Sequence, residues 1–162
     1  MTPEKFYASI VEPTLQHMAG SPSIAVPVTD AARVLVMTIA GQESRWKDRR
    51  QIGGPARSYW QFELGGGVDD VFRATGRQLS TVCASQDVPY DPHVVFEAMA
   101  WNDPLACAMA RLLLWMQPPP LPAVGDKEGA WQYYLRAWRP GAPHRTSWDG
   151  LYDQSLSAIG RT

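Results

Sequence analysis

The amino-acid sequence predicts a mainly α protein built as a single domain, and three observations carry that expectation. Residues 30–40, "DAARVLVMTIA", are apolar nearly all round, as a helix must be when neighbours cover every side of it. Other stretches of helical period recur along the chain between Pro and Gly stops. Alternating, strand-like runs are few. A length of 162 residues suits one domain over 1–162, with a core that needs no metal or disulfide to hold it.

The elements follow in order. Residues 3–18 form a helix interrupted or kinked at Pro13, and the breaker "GSPSIAVPV" then makes a loop or short extended piece. Thr29 is a good N-cap for the buried helix, which stops near Gly41 and leaves Glu43 at its C-terminal edge. Residues 45–67 read as a loop or short hairpin, with Gly53, Gly54 and Pro55 as turn residues and Gly65, Gly66 and Gly67 closing it. A helix over 68–75 is halted by Gly76, and another runs over 92–101. Asn102 or Asp103 caps a helix over 104–116, which Pro118, Pro119 and Pro120 end. Helices over 129–138, before Pro140, and over 147–159 complete the chain.

Composition excludes several function classes. Fifteen Lys and Arg against 16 acidic residues give a formal charge of -1, with no global positive field to attract nucleic acid. The one basic cluster, Arg45, Lys47, Arg49 and Arg50, is short and lies beside the stretch discussed below. It reads equally as a solvated loop or as a contact for an anionic polymer. Cys83 and Cys107 lack ligand spacing and read as buried small apolar residues. His17, His93 and His144 are far apart, so neither a metal nor a cofactor is expected. No stretch approaches the roughly 20 apolar residues of a membrane span. The N-terminus does not read as a secretory signal, so synthesis in a cytoplasm without an export route of its own is expected.

The chemistry points to "TIAGQESRWKDRRQIGGPARSYWQFELGGG", residues 38–67. A carboxylate at a helix C-terminus meets the negative end of the dipole, and shielding by Tyr59 and Trp60 would add a desolvation cost. Both effects raise the pKa of Glu43, as a general acid working on a glycosidic bond requires. Glu63, twenty positions on, is a candidate second carboxylate and Asp48 a weaker one; Glu63 reads equally as a residue that pins the glycine turn or caps the next helix. Seven Trp in this length exceed ordinary usage. Trp46, Tyr59, Trp60, Trp138 and Trp148 lie near these loops and suit a groove that stacks on pyranose faces, with core packing as the alternative for each. Trp101, Trp115 and Trp131 sit in helical patterns and read as core.

"QES" at the end of a buried helix followed by "GGPARSYWQFE" resembles the lysozyme-like superfamily, nearest to the catalytic core of soluble lytic transglycosylases and goose-type lysozymes, over about residues 29–141. The resemblance implies a lysozyme-like fold with the groove beside the buried helix. It makes Glu43 the acid/base and Ser44 a polar neighbour. Gly54, Ala56, Trp60 and Gln61 match the second motif, and Gln61 lines the groove. The family's third motif is a Tyr-Asn pair whose tyrosine supports the glutamate. Here Tyr133 or Tyr134 of "WQYYLRAWRPG" takes that place and the Asn is absent.

The implied activity is cleavage of the β-1,4 bond between N-acetylmuramic acid and N-acetylglucosamine in peptidoglycan glycan strands. A lytic transglycosylase needs one glutamate and leaves a 1,6-anhydro end, whereas hydrolysis calls on a second carboxylate. A small wall-cleaving core of this kind resembles bacteriophage products. It fits an endolysin released through a membrane lesion made by a holin, or a lysin carried in the virion among other virion proteins. The competing expectation is a catalytically inactive phage structural or assembly protein on the same fold, favoured by the absent Asn and by "MQPPPLPAVG" as a docking segment.

Overall fold

A computed structural model describes residues 1–161. Among them the chain is mainly helical and forms no strand. Thr2 caps the first helix by accepting from Lys5 N, and Pro3 takes the first position, where its missing N–H costs nothing. Pro3–Phe6, a π-helical turn Tyr7–Val11 and Glu12–Gly20 follow without a break and together make α1. The interruption expected at Pro13 is a change of turn width. The proline ring crowds the carbonyl of the preceding turn, and the wider π turn directly before it takes up that misfit. Phe6, Ile10, Val11, Leu15 and Met18 form the buried face. After Ser21 the chain makes a turn closed by Ile24 N and Ala25 N on Ser21 O, passes through Ala25 at φ 52 and runs on irregularly to Val28, with Ile24 and Val26 buried between exposed neighbours.

The central helix α2, Asp30–Ser44, is capped by Thr29 and buried continuously from Val34 to Gly41. It lies against α7, the π turn of α1 and α5, whose bounds are given below. Glu12 of α1 pairs with Arg33 of α2 at 2.7 and 2.9 Å, and the Tyr7 hydroxyl donates to the same carboxylate at 2.7 Å. Arg33 beside it holds the Glu12 carboxyl down at about 2.

Gly41 does not stop α2, contrary to the sequence expectation, and Glu43 therefore lies inside the last turn. Gly41 serves a close approach instead. A Cβ there would stand 2.5 Å from the Trp46 indole, which folds back on the helix and donates to Met37 O at 3.0 Å. The reversal that brings it there runs through two left-handed residues, Arg45 at φ 54 and Trp46 at φ 55.

The segment that follows is compact, with isolated bridges from Arg50 to Arg57 and from Arg57 to Phe62. A π-helical turn, Leu64–Val68, leads into α3, Asp69–Ser85. The halt expected at Gly76 does not occur. The backbone departs from helix at Thr75 (φ -130, ψ 27), whose hydroxyl donates to Val71 O, and the helix resumes. Gly76 instead admits the Tyr90 hydroxyl, which a Cβ would meet at 2.8 Å.

Helix α4, Pro92–Ala98, is capped by Asp91 and shorter than expected. Helix α5, Asp103–Trp115, is capped by Asn102. Helices α6, Lys127–Trp138, and α7, Arg145–Ala158, begin two residues before the expected starts; for α6 the cap is Asp126, which accepts from Gly129 N. Two tryptophans expected in the core are not there. Trp101 follows α4 and is 67% exposed, and Trp115, where α5 emerges from the core, is 38% exposed. Trp131, Cys83 and Cys107 are buried, and both cysteines are free thiols.

Arg111 of α5 is 4% exposed and bonded only through Nη2, to Pro27 O at 3.0 Å; its Nε and Nη1 have no protein partner. Burial pulls its pKa down to about 10. A buried charge without an ion pair costs more than it returns. Arg111→Met is therefore expected to leave the stability measured by urea unfolding unchanged or to raise it by up to about 2 kcal/mol. A clear loss would show that the guanidinium is stabilising.

Candidate active-site cleft

The last turn of α2, the loop after it, the glycine turn and the C-terminal end of α6 enclose a cleft of about 560 Å³. Glu43, Asp48, Gln61, Glu63, Tyr134 and Trp138 line it, with Ile52, Ala56, Gly66 and His144 around them. The structure thus gathers residues of two distant stretches, 42–67 and 134–144, onto one surface.

Glu43 is half-buried, and the Tyr134 hydroxyl donates to its Oε1 at 2.6 Å. Burial raises its pKa to about 7; the tyrosine bond opposes the rise and the Glu63 charge adds to it. Its place at the C-terminal end of α2 acts in the same upward direction. Tyr133 and Tyr134 are separated by helix geometry, since adjacent residues point about 100° apart. Tyr134 faces Glu43, whereas Tyr133 turns away and donates to Leu114 O at 3.1 Å and Pro119 O at 2.9 Å. Tyr133 is thereby not a cleft residue; it holds the start of the proline-rich segment.

The shielding expected of Tyr59 and Trp60 comes from other rings. Tyr59 is buried against Phe6, edge to face at 4.9 Å, and Trp60 is fully buried with its indole N–H on Val36 O at 2.9 Å. Neither lines the cleft, because the short loop folds its largest apolar side chains inward onto α1 and α2. Trp46 and Trp148, also expected in a groove, are buried too. Trp148 stacks on Tyr134 at 5.1 Å and 22°, and Trp131 packs on both. These rings back the tyrosine that holds Glu43. Trp138, one turn after Tyr134, does line the cleft, its indole N–H bonded to Trp60 O at 2.9 Å.

Ser44 is buried and its hydroxyl donates to Ala40 O at 3.1 Å, as a back-bonded helix residue and not a groove contact. Gln61 lies in the cleft wall at φ 51, with Nε2 donating to Ser58 O at 2.7 Å and Asp48 O at 3.3 Å. Glu63 is exposed on the cleft and makes no capping bond to the following turn. Much of the basic cluster is engaged within the chain. Arg49 grips Asp103 with two 2.8 Å bonds, Arg50 stands 3.9 Å from Glu97, and Arg45 donates to Gly41 O at 2.8 Å.

Gln42 carried no separate signal in the sequence beyond its place beside Glu43. It donates to His144 O and accepts from the Ser147 hydroxyl, both at 3.0 Å, which ties α2 to the cap and first turn of α7. Arg139, left-handed at φ 50 and paired with Asp70, stands on the same rim.

Among the described residues no group of three or more His, Cys, Asp and Glu is placed to hold a metal ion, and no helix is long and apolar enough to cross a membrane. The cleft instead offers one carboxyl poised to exchange a proton near neutral pH, a second carboxylate on the same surface, and an aromatic wall. Removing the tyrosine hydroxyl tests that electrostatic description. Tyr134→Phe takes away a donor that favours the carboxylate, so the Glu43 pKa is expected to rise above about 7. A carbon-detected NMR titration of the Glu43 carboxyl reads the shift directly, and a fall would contradict the geometry. No family model, no curated protein and no solved structure matches the chain.

Proposed function

We propose that this protein cleaves glycan strands of bacterial peptidoglycan at the β-1,4 bond between N-acetylmuramic acid and N-acetylglucosamine, on a lysozyme-like fold with Glu43 as general acid and base. The observation that carries the reading is Glu43 itself, half-buried in the cleft with its pKa raised to about 7 and a tyrosine hydroxyl at 2.6 Å. That combination serves a group that must hold a proton near neutral pH and then release it. The Tyr134 hydroxyl on Glu43 supports the reading, since the resemblance implies a tyrosine that supports the glutamate.

In the proposed reaction the protonated Glu43 donates to the glycosidic oxygen as the bond breaks. The resulting carboxylate then takes a proton from the nucleophile. If that nucleophile is the muramic residue's own C6 hydroxyl, the product is a 1,6-anhydro end and no water is consumed; if it is water, the product is an ordinary reducing end. Glu63 supplies negative charge near the developing oxocarbenium and is suited to activating a water. The flat wall of Trp138 and the amide of Gln61 suit a pyranose face and its polar substituents. The chemistry fits a phage endolysin that reaches the wall through a holin lesion, or a virion-associated lysin.

One observation favours the second reading, a phage structural or assembly protein without turnover. The segment from Pro118 to Pro120 is exposed and irregular, and Tyr133 fixes its start. Mass spectrometry of the soluble fragments released from purified peptidoglycan tests the two. Muropeptides are expected, with anhydro products lighter by one water if the C6 hydroxyl attacks. A folded protein that releases no fragment would leave the structural reading standing.

A further inference from the structure

Charge is distributed unevenly over the cleft. Glu43, Asp48 and Glu63 put three carboxyl groups on its surface, whereas Arg139 is the only Lys or Arg among the described residues that line it, with His144 the one other basic side chain. Arg139 owes its place to a turn of the backbone. In a continuing helix residue 139 would point about 140° away from Tyr134, out of the cleft. At φ 50, ψ 51 the chain instead turns left-handed, ends α6 and sets the side chain on the rim. The guanidinium is aimed there without being used up. Among the described residues only its Nη2 is bonded, to Asp70, and the other oxygen of Asp70 accepts from Arg73. Two guanidinium groups share one carboxylate, so one positive charge stays uncompensated. With its side chain 60% exposed, Arg139 keeps Nε and Nη1 for an acceptor outside the chain.

We propose that Arg139 is a specificity-determining residue of the cleft: it binds a carboxylate carried on the lactyl branch of the muramic sugar, so that the cleft takes peptidoglycan strands in preference to neutral chitin. The inference rests on the glycan-cleaving reading above and names what that cleft selects. An anionic strand laid in the cleft is repelled by the carboxylates, and the penalty is smallest where the branch points at Arg139. A guanidinium suits the task, since its planar fork offers parallel N–H groups to the two oxygens of one carboxylate. The position is also within reach. Arg139 comes five residues after Tyr134, which holds Glu43, and so stands about 7.5 Å further along α6. Trp138 forms the wall between them. A strand lying on Trp138 with its breaking bond at Glu43 thus brings a branch on the muramic sugar to Arg139. The carboxylate is either the lactyl group's own or one of the stem peptide joined to it. A polymer of N-acetylglucosamine alone has neither.

Calorimetric titration of the full chain carrying Glu43→Gln, which binds strands without turning them over, tests the assignment. The probes are three tetrasaccharides of alternating N-acetylglucosamine and N-acetylmuramic acid. One has free lactyl carboxylates, one has short stem peptides with free carboxylates, and one has its lactyl groups capped as neutral methyl amides. At low ionic strength at least one charged oligomer should bind about three- to fivefold tighter than the capped one, as an exposed ion pair allows. The advantage should shrink at high salt. The charged oligomer that shows it identifies the source of the carboxylate. Adding Arg139→Gln should bring the ratio close to one, whereas Arg139→Lys should keep part of it. Arg136→Gln removes the same charge from the same helix on the side of Tyr133, away from the cleft, and should leave the ratio intact. No advantage for either charged oligomer, or one that survives Arg139→Gln, overturns the assignment while the glycan reading stands. Failure of all three oligomers to bind overturns both.

Discussion

Glu43→Gln is expected to lower the rate of glycan release by about 10²–10⁴-fold, the usual contribution of a positioned general acid. The substitution keeps the size of the side chain and an oxygen that accepts from Tyr134, so the cleft should hold its shape. What it removes is the exchangeable proton. The loss is expected in kcat and kcat/KM alike, because proton donation to the leaving oxygen develops in the transition state and not in the bound substrate. An effect confined to KM would mean that Glu43 binds the strand and that another group carries the proton. Unchanged release would remove Glu43 from the mechanism, and Glu63 and Asp48 would be the remaining carboxylates on the cleft.

The helical class and the buried helix were legible because both are written in local pattern: an apolar run with no polar face and caps at Thr29, Asn102 and the prolines. The position of Glu43 in the cleft was legible for a different reason: a helix-end glutamate taken alone reads as a solvated residue, and only the resemblance of the residues after it singled it out. The groove aromatics were not legible. Sequence places Tyr59 and Trp60 near Glu43, but whether a ring faces solvent or α2 depends on a reversal through two left-handed residues and on Gly41 admitting an indole. Nor could sequence choose between Tyr133 and Tyr134. That choice depends on the rotation of α6 about its own axis, which is set by Trp131 and Trp148 packing behind it. The stops expected at Gly41 and Gly76 failed for a shared reason. A glycine inside a helix reads as a terminator until the side chain it makes room for is known.

The raised pKa of Glu43 carries a second consequence of comparable size, in stability. A carboxyl whose folded pKa is about 7, against an unfolded value near 4.3, binds its proton more tightly in the folded chain. The favourable contribution is fully present below the unfolded value and is lost as pH rises through the folded one. Above neutrality the ionised carboxylate therefore costs the fold on the order of 3 kcal/mol. Gln carries no charge to desolvate, so Glu43→Gln should match the wild type near about pH 4 and melt about 6–12 °C higher near about pH 8. Other titrating groups are common to both proteins and cancel in the difference. Melting curves for the pair across that range make the measurement without any substrate. A gap that opens between about pH 4 and pH 7 and stays constant above would show that the cleft holds Glu43 at a cost to the fold, as a site organised for proton transfer does. Parallel curves would mean that solvent reaches the carboxylate, and the acid role would then fail on physical grounds even if no assay for cleavage were run.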